Sequence, residues 1–238
     1  MAEIDFSRFE VLTFDCYGTL IDWERGLLDA LQPILAPRGV DAADDELLES
    51  YARHEPALEV GEYRSYRDVL AGSLTGLCSD LGFSPSEAEV AAFPDSISCW
   101  PAFPDSAPAL RRLATRFRLG VITNCDDDLF AHSARRLGVT FDWTVTAQMA
   151  RSYKPSLDNF RLALDLIGVP NERVLHVAQS LYHDHVPAKQ MGLTTVWINR
   201  RQDKPGSGAT PQVTATPDLT VPDMRTFAGL AVPDPTAG

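Results

Sequence analysis

Apolar and polar positions follow two different patterns along the chain, and the pattern changes after the first strand. Residues 10–14 form a short apolar run that ends in Asp15 and a glycine-containing turn, which predicts a buried strand. For about eighty residues after this turn, the apolar positions follow helical spacing and no strand is indicated. Four helices are predicted in this part of the chain, at residues 23–35, 45–58, 66–81 and 85–96.

From residue 101 onward, predicted strands and helices alternate. The strands are predicted at residues 119–123, 143–146, 174–178 and 194–198, and the helices at 106–117, 127–137, 157–166 and 183–191. A last strand and helix are predicted within 218–230, after a loop at 202–216, and 232–238 are predicted to fray. Such alternation predicts an α/β fold with a doubly wound parallel sheet. We therefore predict a Rossmann-like core at 1–20 and 101–238 and an inserted helical cap at 21–100.

Composition and charge limit the classes of partner. The 33 acidic and 21 basic residues give a net charge of −12, which argues against nucleic acid or an anionic membrane surface. No apolar run approaches the roughly 20 residues of a spanning helix, and no secretory signal is present. The cysteines at 16, 78, 99 and 125 are scattered, as expected of reduced thiols. We expect a cytoplasmic protein without a membrane partner, and a homodimer remains open.

Several polar residues follow predicted strands or precede predicted helices. Asp15 ends the first strand, Thr123 and Asn124 end the second, and Asp184 follows the strand at 174–178. Lys154 lies just before the helix at 157–166. In open α/β sheets, ligands bind at the carboxyl ends of the strands. We therefore expect these side chains to converge at one edge of the sheet.

The segment 14–20, Phe-Asp-Cys-Tyr-Gly-Thr-Leu, resembles the nucleophile motif of the haloacid dehalogenase superfamily. Thr123-Asn124, Lys154-Pro155 and the segment 176–184 resemble the other motifs of that superfamily, in the same order. Tyr17 stands where its phosphatases carry a second Asp and where its hydrolytic L-2-haloacid dehalogenases carry an aromatic residue. The resemblance covers essentially the whole chain. It implies hydrolysis of a short L-2-haloacid, a small halogenated carboxylic acid, to the D-2-hydroxyacid, without a metal or an organic cofactor.

The resemblance also implies the roles of four catalytic residues. Asp15 is the nucleophile that attacks the substrate carbon and forms an ester. Lys154 holds Asp15 ionised, and Thr19 steadies its carboxylate. Asp184 orients or activates the water that opens the ester. Each also has an ordinary structural reading, since a carboxylate at a strand end often caps a helix or forms a turn.

The resemblance also implies which residues contact the substrate. The backbone N–H groups of Cys16 and Tyr17, together with Thr123, are candidates for binding the substrate carboxylate. Asn124 is the candidate donor to the leaving halide. Enzymes of this type use an arginine of the cap for the halide and carboxylate, and here no arginine can be aligned with it. The remaining substrate-binding candidates are Arg53, His54, Gln179 and Ser180.

Two other functions stay open on the sequence. The first is a Mg²⁺-dependent phosphatase of small metabolites, because Asp15 and Asp184 can hold Mg²⁺ together with a substrate phosphate. Tyr17 weakens this reading, since it removes a general acid that contributes roughly 10² to 10⁴-fold, and Gln179 removes a carboxylate from the metal site. The second is a catalytically silent family member that binds a small acid or a protein.

Overall fold

The centre of the protein is a parallel sheet of six strands. The structure, a computed structural model, describes residues 4–202 and 213–233. The strand order is β3-β2-β1-β4-β5-β6, and every neighbouring pair is parallel. The strands are β1 Val11–Phe14, β2 Arg118–Thr123, β3 Trp143–Thr146, β4 Val174–Ala178, β5 Thr194–Ile198 and β6 Leu219–Val221. This confirms the predicted α/β fold with a parallel sheet.

The two central strands define where a ligand can bind. β1 lies between β2 and β4, and Phe14 pairs with Val121 on one side and Val177 on the other. Both β1 and β4 are buried along their whole length, because helices cover both faces of the sheet. The chain runs outward from β1 to β3 and then returns to β4, so the strand order reverses between β1 and β4. Ligands bind in the crevice at such a reversal point.

Helices alone connect β1 to β2 within the described residues. The first helix coincides with its prediction, whereas the helix predicted at 85–96 ends early and gives way to a 3₁₀ segment, Phe93–Cys99. Pro94 explains the break, since proline cannot donate to the preceding turn. The helices of this part are α1 Trp23–Leu35, α2 Asp44–Glu59, α3 Tyr66–Asp80 and α4 Glu87–Ala92.

Two glycines let α2 and α3 approach each other closely. A Cβ atom added to Gly76 would lie 2.4 Å from the ring of His54, and one added to Gly72 would lie 2.8 Å from Leu58. The side chains of α2 therefore pack directly on the backbone of α3. This close approach fixes which face of α2 points toward α3 and which face points toward the sheet.

The remaining helices cover the sheet. The helix predicted at 183–191 begins with a π-helical turn, Leu181–His185, before it becomes regular. The short helix Ala147–Ala150 and the 3₁₀ segments Phe6–Arg8, Ala36–Arg38 and Asn171–Arg173 were not predicted, because one turn shows no period. The helices are α5 Ser106–Leu113, α6 Asp127–Leu137, α7 Ala147–Ala150, α8 Leu157–Ile167, α9 Val186–Gln190 and α10 Met224–Ala231.

Two sequence predictions fall partly or wholly on residues that the structure does not describe. The loop predicted at 202–216 includes 203–212, and the frayed end predicted at 232–238 includes 234–238, all of which lie outside the described residues. Among the helices that are described, none combines the length and the apolar character needed to cross a membrane.

The helical insertion and the sheet share one apolar cluster, which brings the insertion close to the end of β1. Trp100 is fully buried, and a Cβ atom on Gly26 of α1 would lie 2.3 Å from its side chain. Trp100 also packs edge-to-face against Tyr17, with the ring centroids 5.7 Å apart. Tyr17 follows β1 by three residues, so this contact joins the insertion to the predicted site.

Candidate active site

Asp15 lies at the carboxyl end of β1 with both carboxylate oxygens bound. Its backbone N–H donates to the carbonyl of Val177 at 3.1 Å, which continues the pairing of β1 with β4. Lys154 Nζ donates to Oδ1 at 2.9 Å, and Thr19 Oγ1 donates to Oδ2 at 2.6 Å. The carboxylate is thus held in one orientation at the sheet edge, beside the point where the strand order reverses.

The turn after Asp15 fixes the position of Thr19. Gly18 has a φ of 92°, a left-handed conformation that favours glycine. The N–H groups of Leu20 and Ile21 both donate to the carbonyl of Cys16, which closes the turn. Thr19 Oγ1 also accepts from the backbone N–H of Gln179 at 2.9 Å. The turn is therefore tied to the residue after β4, and the Thr19 hydroxyl hydrogen is directed at Asp15.

Lys154 is a buried ammonium group with a complete set of acceptors. Besides Asp15, it donates to the carbonyl of Ile122 at 2.9 Å and to Asp184 Oδ1 at 2.7 Å. These three contacts match the three hydrogens of an ammonium group. Asn124 fixes the backbone of Lys154, since its Oδ1 accepts from the Lys154 N–H at 2.7 Å and its Nδ2 donates to the Lys154 carbonyl at 3.1 Å.

Asp184 is oriented by two donors on one oxygen. It lies in the π-helical turn that follows β4, and its Oδ1 accepts from Lys154 and from His176 Nε2 at 3.1 Å. His176 Nδ1 in turn accepts from the hydroxyl of Thr13 at 2.9 Å, which assigns the Nε2–H tautomer. Asp184 Oδ2 is buried and has no partner among the described residues. That oxygen is free to bind a water molecule.

Burial and charge pairing act in opposite directions on the pKa values of Lys154, Asp184 and Asp15. Burial by itself lowers the pKa of Lys154, but Asp15 and Asp184 reverse the effect and raise it above its usual value. Burial tends to raise the pKa of Asp184, yet Lys154 and His176 bring it well below the usual range. Burial raises the pKa of Asp15, and Lys154 opposes this effect. In its ionised form, a carboxylate with a raised pKa is a stronger nucleophile than an ordinary aspartate.

The predicted site residues divide into two groups in the structure. Seven of them line one cleft beside the sheet edge. Thr19 is buried beneath Asp15, and Cys16 is buried in the apolar core, where burial raises the pKa of its thiol. The backbone N–H groups of Cys16 and Tyr17 donate to no group in the described parts of the chain, so both can receive an anion. The seven lining residues are Asp15, Tyr17, Asn124, Lys154, Gln179, Ser180 and Asp184.

Three predicted substrate contacts are not in the cleft. Thr123 is fully buried and its hydroxyl does not reach the cleft, so it does not bind the substrate carboxylate in this conformation. Arg53 is 60% exposed and pairs with Asp80 at 2.8 Å, and His54 Nε2 bonds the same carboxylate at 3.0 Å. The packing of His54 against Gly76 turns this face of α2 toward α3. Arg53 and His54 thus lie outside the cleft in this conformation, and their role as substrate contacts stays a prediction.

The opposite face of α2 provides cleft residues that sequence reasoning missed. Glu55 and Glu59 are one helical turn apart and both line the cleft. Glu55 Oε1 accepts from the hydroxyls of Tyr51 at 3.0 Å and Tyr66 at 2.7 Å. The sequence could not single them out, because α2 is only weakly amphipathic and its apolar positions do not mark one face clearly. The five lining residues that were missed are Trp23, Glu55, Glu59, Tyr66 and His183.

Comparison with known proteins shows which family the chain resembles. The model of the haloacid dehalogenase-like hydrolases matches residues 9–192. Haloacetate dehalogenase H-2 from Moraxella sp. (strain B) is 27% identical over 94% of this chain and 98% of its own length. An (S)-2-haloacid dehalogenase from Pseudomonas putida is 25% identical, over 93% and 96% respectively.

A solved structure shows the same fold. The structure of L-2-haloacid dehalogenase from Xanthobacter autotrophicus with chloropropionic acid covalently bound superposes with a TM-score of 0.78 at 21% identity, over 93% of this chain and 98% of that one. The family match spans the first strand through β4 and includes Asp15, Lys154 and Asp184. The chain belongs to the haloacid dehalogenase-like hydrolase family.

Proposed function

We propose that this protein hydrolyses the carbon–halogen bond of short 2-haloacids, with L-2-haloacids giving D-2-hydroxyacids. The observation that carries the proposal is the carboxyl group of Asp15, oriented by Lys154 and Thr19 at the sheet edge, with Tyr17 two residues later. The relatives named as haloacetate and 2-haloacid dehalogenases over nearly their whole lengths support the same reaction.

The first step forms an ester on Asp15. A carboxylate oxygen attacks the carbon that bears the halogen, the carbon–halogen bond breaks, and the halide leaves with the bonding electrons. Attack from the side opposite the halide inverts that carbon, which converts an L substrate to a D product. The backbone N–H groups of Cys16 and Tyr17 are the donors that we assign to the substrate carboxylate, because both point from the turn after Asp15 and lack protein partners.

The second step opens the ester at the Asp15 carbonyl carbon. We assign the attacking water molecule to Asp184 Oδ2, because this oxygen has no partner among the described residues and Lys154 bridges Asp184 and Asp15. The water oxygen bonds to the carbonyl carbon, one proton passes to Asp184, and the bond between the Asp15 oxygen and the product breaks. His176 keeps Asp184 pointed at the cleft during this step.

The cleft does not favour a phosphate ester. Its described lining residues carry four carboxyl groups and one ammonium group, so a phosphate dianion finds little positive charge. A divalent cation would have to supply that charge, and among the described residues no group of three or more ligating side chains is assembled. The Tyr17 hydroxyl is bound to Ser133 at 3.1 Å, and burial raises its pKa well above the usual value, so it is a poor proton donor. A halide needs no such donor to leave.

We extend the proposal to the organisation of the chain. The helices between β1 and β2 form a cap over residues 21–100, and the sheet with its covering helices forms the core at 1–20 and 101–238. Both parts contribute to the cleft, Glu55 and Tyr66 from the cap and Asp15 and Lys154 from the core. The free cysteines, three of them buried, favour a reducing compartment and thus the cytoplasm.

Labelling of the attacking water with ¹⁸O tests this mechanism. In a single turnover with excess enzyme in ¹⁸O-water, the label should enter the side chain of Asp15, and the product hydroxyl should be unlabelled. Asp15→Asn should abolish halide release from chloroacetate and L-2-chloropropionate, whereas Asp158→Asn, an exposed carboxylate, should leave it intact. Label that appears first in the hydroxyacid would mean that water attacks the substrate directly.

Two assays on the same protein preparation distinguish a dehalogenase from a phosphatase. Halide release should be insensitive to EDTA, and p-nitrophenyl phosphate should not be hydrolysed. Phosphate release that needs Mg²⁺, with no halide release, would replace the dehalogenase assignment by the phosphatase. Thermal stabilisation by a haloacid without any turnover would indicate a silent binding protein.

A further inference from the structure

The cap presents two carboxyl groups to the side of the cleft that faces the nucleophile. Glu55 and Glu59 lie on the inward face of α2, while Asp15 lies at the end of β1 on the other side. Glu55 is held by the two tyrosine hydroxyls that donate to it. Glu59 makes no hydrogen bond or ion pair with the described residues. A carboxyl group that lines a reaction cleft without a partner is available to a substrate.

The charge in the cleft requires some of these carboxyl groups to be neutral. Lys154 has donated all three hydrogens to protein acceptors, so none remains for a substrate anion. No arginine is among the cleft residues that the structure describes. With Asp15 and Asp184 ionised and a haloacid monoanion bound, two further carboxylates would add mutual repulsion at close range.

Glu59 is the group that carries its proton most readily. Burial raises its pKa, Glu55 raises it further, and Lys154 opposes both effects only in part. The raised pKa of Glu59 agrees with its surroundings, since Glu59 receives no hydrogen bond while Glu55 receives two. The titratable groups around it come from its own helix, from the cap and from the core: Glu55, Tyr63, Tyr66, Tyr153, Lys154, His183, Asp15 and Asp184. His183 is neutral, because burial lowers its pKa to about 4.

The direction of the nucleophilic displacement brings the leaving halide to the cap side of the cleft. The halide departs on the side opposite the attacking oxygen, and Asp15 attacks from the core, so the halide moves toward the cap. We propose, on the basis of the proposed function, that protonated Glu59 donates a hydrogen bond to the departing halide, so that short fluorinated acids belong to the substrates of this protein.

The step balances without any further reactant. The bond from Asp15 to carbon forms as the carbon–fluorine bond breaks, and the electron pair goes to fluoride. The Glu59 hydroxyl keeps its proton and donates a hydrogen bond to fluoride, which leaves as the anion, because hydrogen fluoride is a stronger acid than a carboxyl group. Fluoride is the halide that accepts a hydrogen bond most strongly, and chloride accepts one more weakly. The benefit of the donor is therefore largest for fluorine.

The test compares fluoroacetate with chloroacetate in three proteins, the wild type, Glu59→Met and Glu62→Met. Methionine is similar in length to glutamate and removes the hydrogen-bond donor. Glu62 is an exposed glutamate of the same cap and serves as the matched control. The wild type and Glu62→Met should release both halides. Glu59→Met should reduce kcat/KM for fluoride release by about 10 to 10²-fold, the size expected for the loss of a hydrogen bond to a charged group. Chloride release should fall by a smaller factor, because chloride accepts a hydrogen bond less strongly than fluoride does.

The pH profile supplies a measurement that a purely structural role would not alter. Fluoride release by the wild type should decline with rising pH as Glu59 loses its proton, and this limb should be absent in Glu59→Met and smaller in chloride release. Equal losses for both halides, or chloride release by the wild type with no fluoride release, would overturn the role of Glu59 alone. Release of neither halide would overturn the proposed function itself.

Discussion

Replacing Lys154 by methionine tests the electrostatic basis of the site. Methionine is similar in length and removes only the ammonium group, so Asp15 and Asp184 lose the charge that bridges them at 2.9 Å and 2.7 Å. Two buried carboxylates without a cation between them cannot both stay ionised. One of them takes up a proton at neutral pH, and a protonated Asp15 is no longer a nucleophile.

The size of the effect follows from the distances. At an effective dielectric constant of about 20, two unit charges 2.9 Å apart attract each other by about 6 kcal/mol, which sets an upper limit near 4 pKa units. We expect the acid limb of ester formation to move upward by at least about 2 pH units in Lys154→Met. At pH 7, kcat should fall by at least about 10²-fold.

The folded state should respond in the same direction. Removing one partner of a buried ion pair costs about 3–5 kcal/mol of unfolding free energy. In Lys154→Met, the carboxyl pKa values in the folded state lie above those of the unfolded chain. The variant therefore loses stability as the pH rises through those folded values and recovers it at acid pH. Its stability difference from the wild type should be largest at pH 7 and should shrink toward pH 4.

The assays are chloride release against pH, the mass of the Asp15 ester in single turnovers, and urea unfolding at pH 4 and pH 7. Lys189→Met is the control, because Lys189 pairs with Asp218 at the same 2.7 Å but 36% of each side chain is exposed. Such an exposed pair contributes no more than about 1 kcal/mol, and its loss should leave the pH profile unchanged. An unshifted acid limb in Lys154→Met would show that Lys154 does not control the ionisation of Asp15.

Three further predictions follow from named contacts. Asp184→Asn should form the ester and hydrolyse it slowly, so an adduct on Asp15 should accumulate in mass spectra; its absence, with halide still released at the normal rate, would place the water elsewhere. Gly26→Ala should lower the unfolding free energy by about 1–3 kcal/mol, because its Cβ would lie 2.3 Å from Trp100, whereas Gly229→Ala, with nothing within 4 Å, should not destabilise. In the wild type, kcat/KM should fall with decreasing pH at a pH above the pKa of a free aspartate, because the pKa of Asp15 is raised; an acid limb at or below that of a free aspartate would contradict this.

The sequence by itself determined the fold and most of the charged centre. The periodicity of apolar residues placed Trp143–Thr146, Val174–Ala178 and Asp127–Leu137 with the bounds that the structure shows. Asp15 and Lys154 were also predicted to converge, and they do, at 2.9 Å. The physical reason is that parallel strands end at one sheet edge, so residues at strand ends become neighbours whatever the length of chain between them.

Tertiary structure alone decided which face of the cap helices meets the nucleophile. Periodicity predicted α2 as a helix. Because α2 is only weakly amphipathic, the sequence did not show which of its side chains face the cleft, Arg53 and His54 or Glu55 and Glu59. The packing of α2 on Gly76 turns His54 and Arg53 toward Asp80 and leaves the two glutamates facing Asp15. The rotation of a helix about its axis depends on contacts with residues distant in sequence, and a difference of one position along the helix turns a side chain by about 100°.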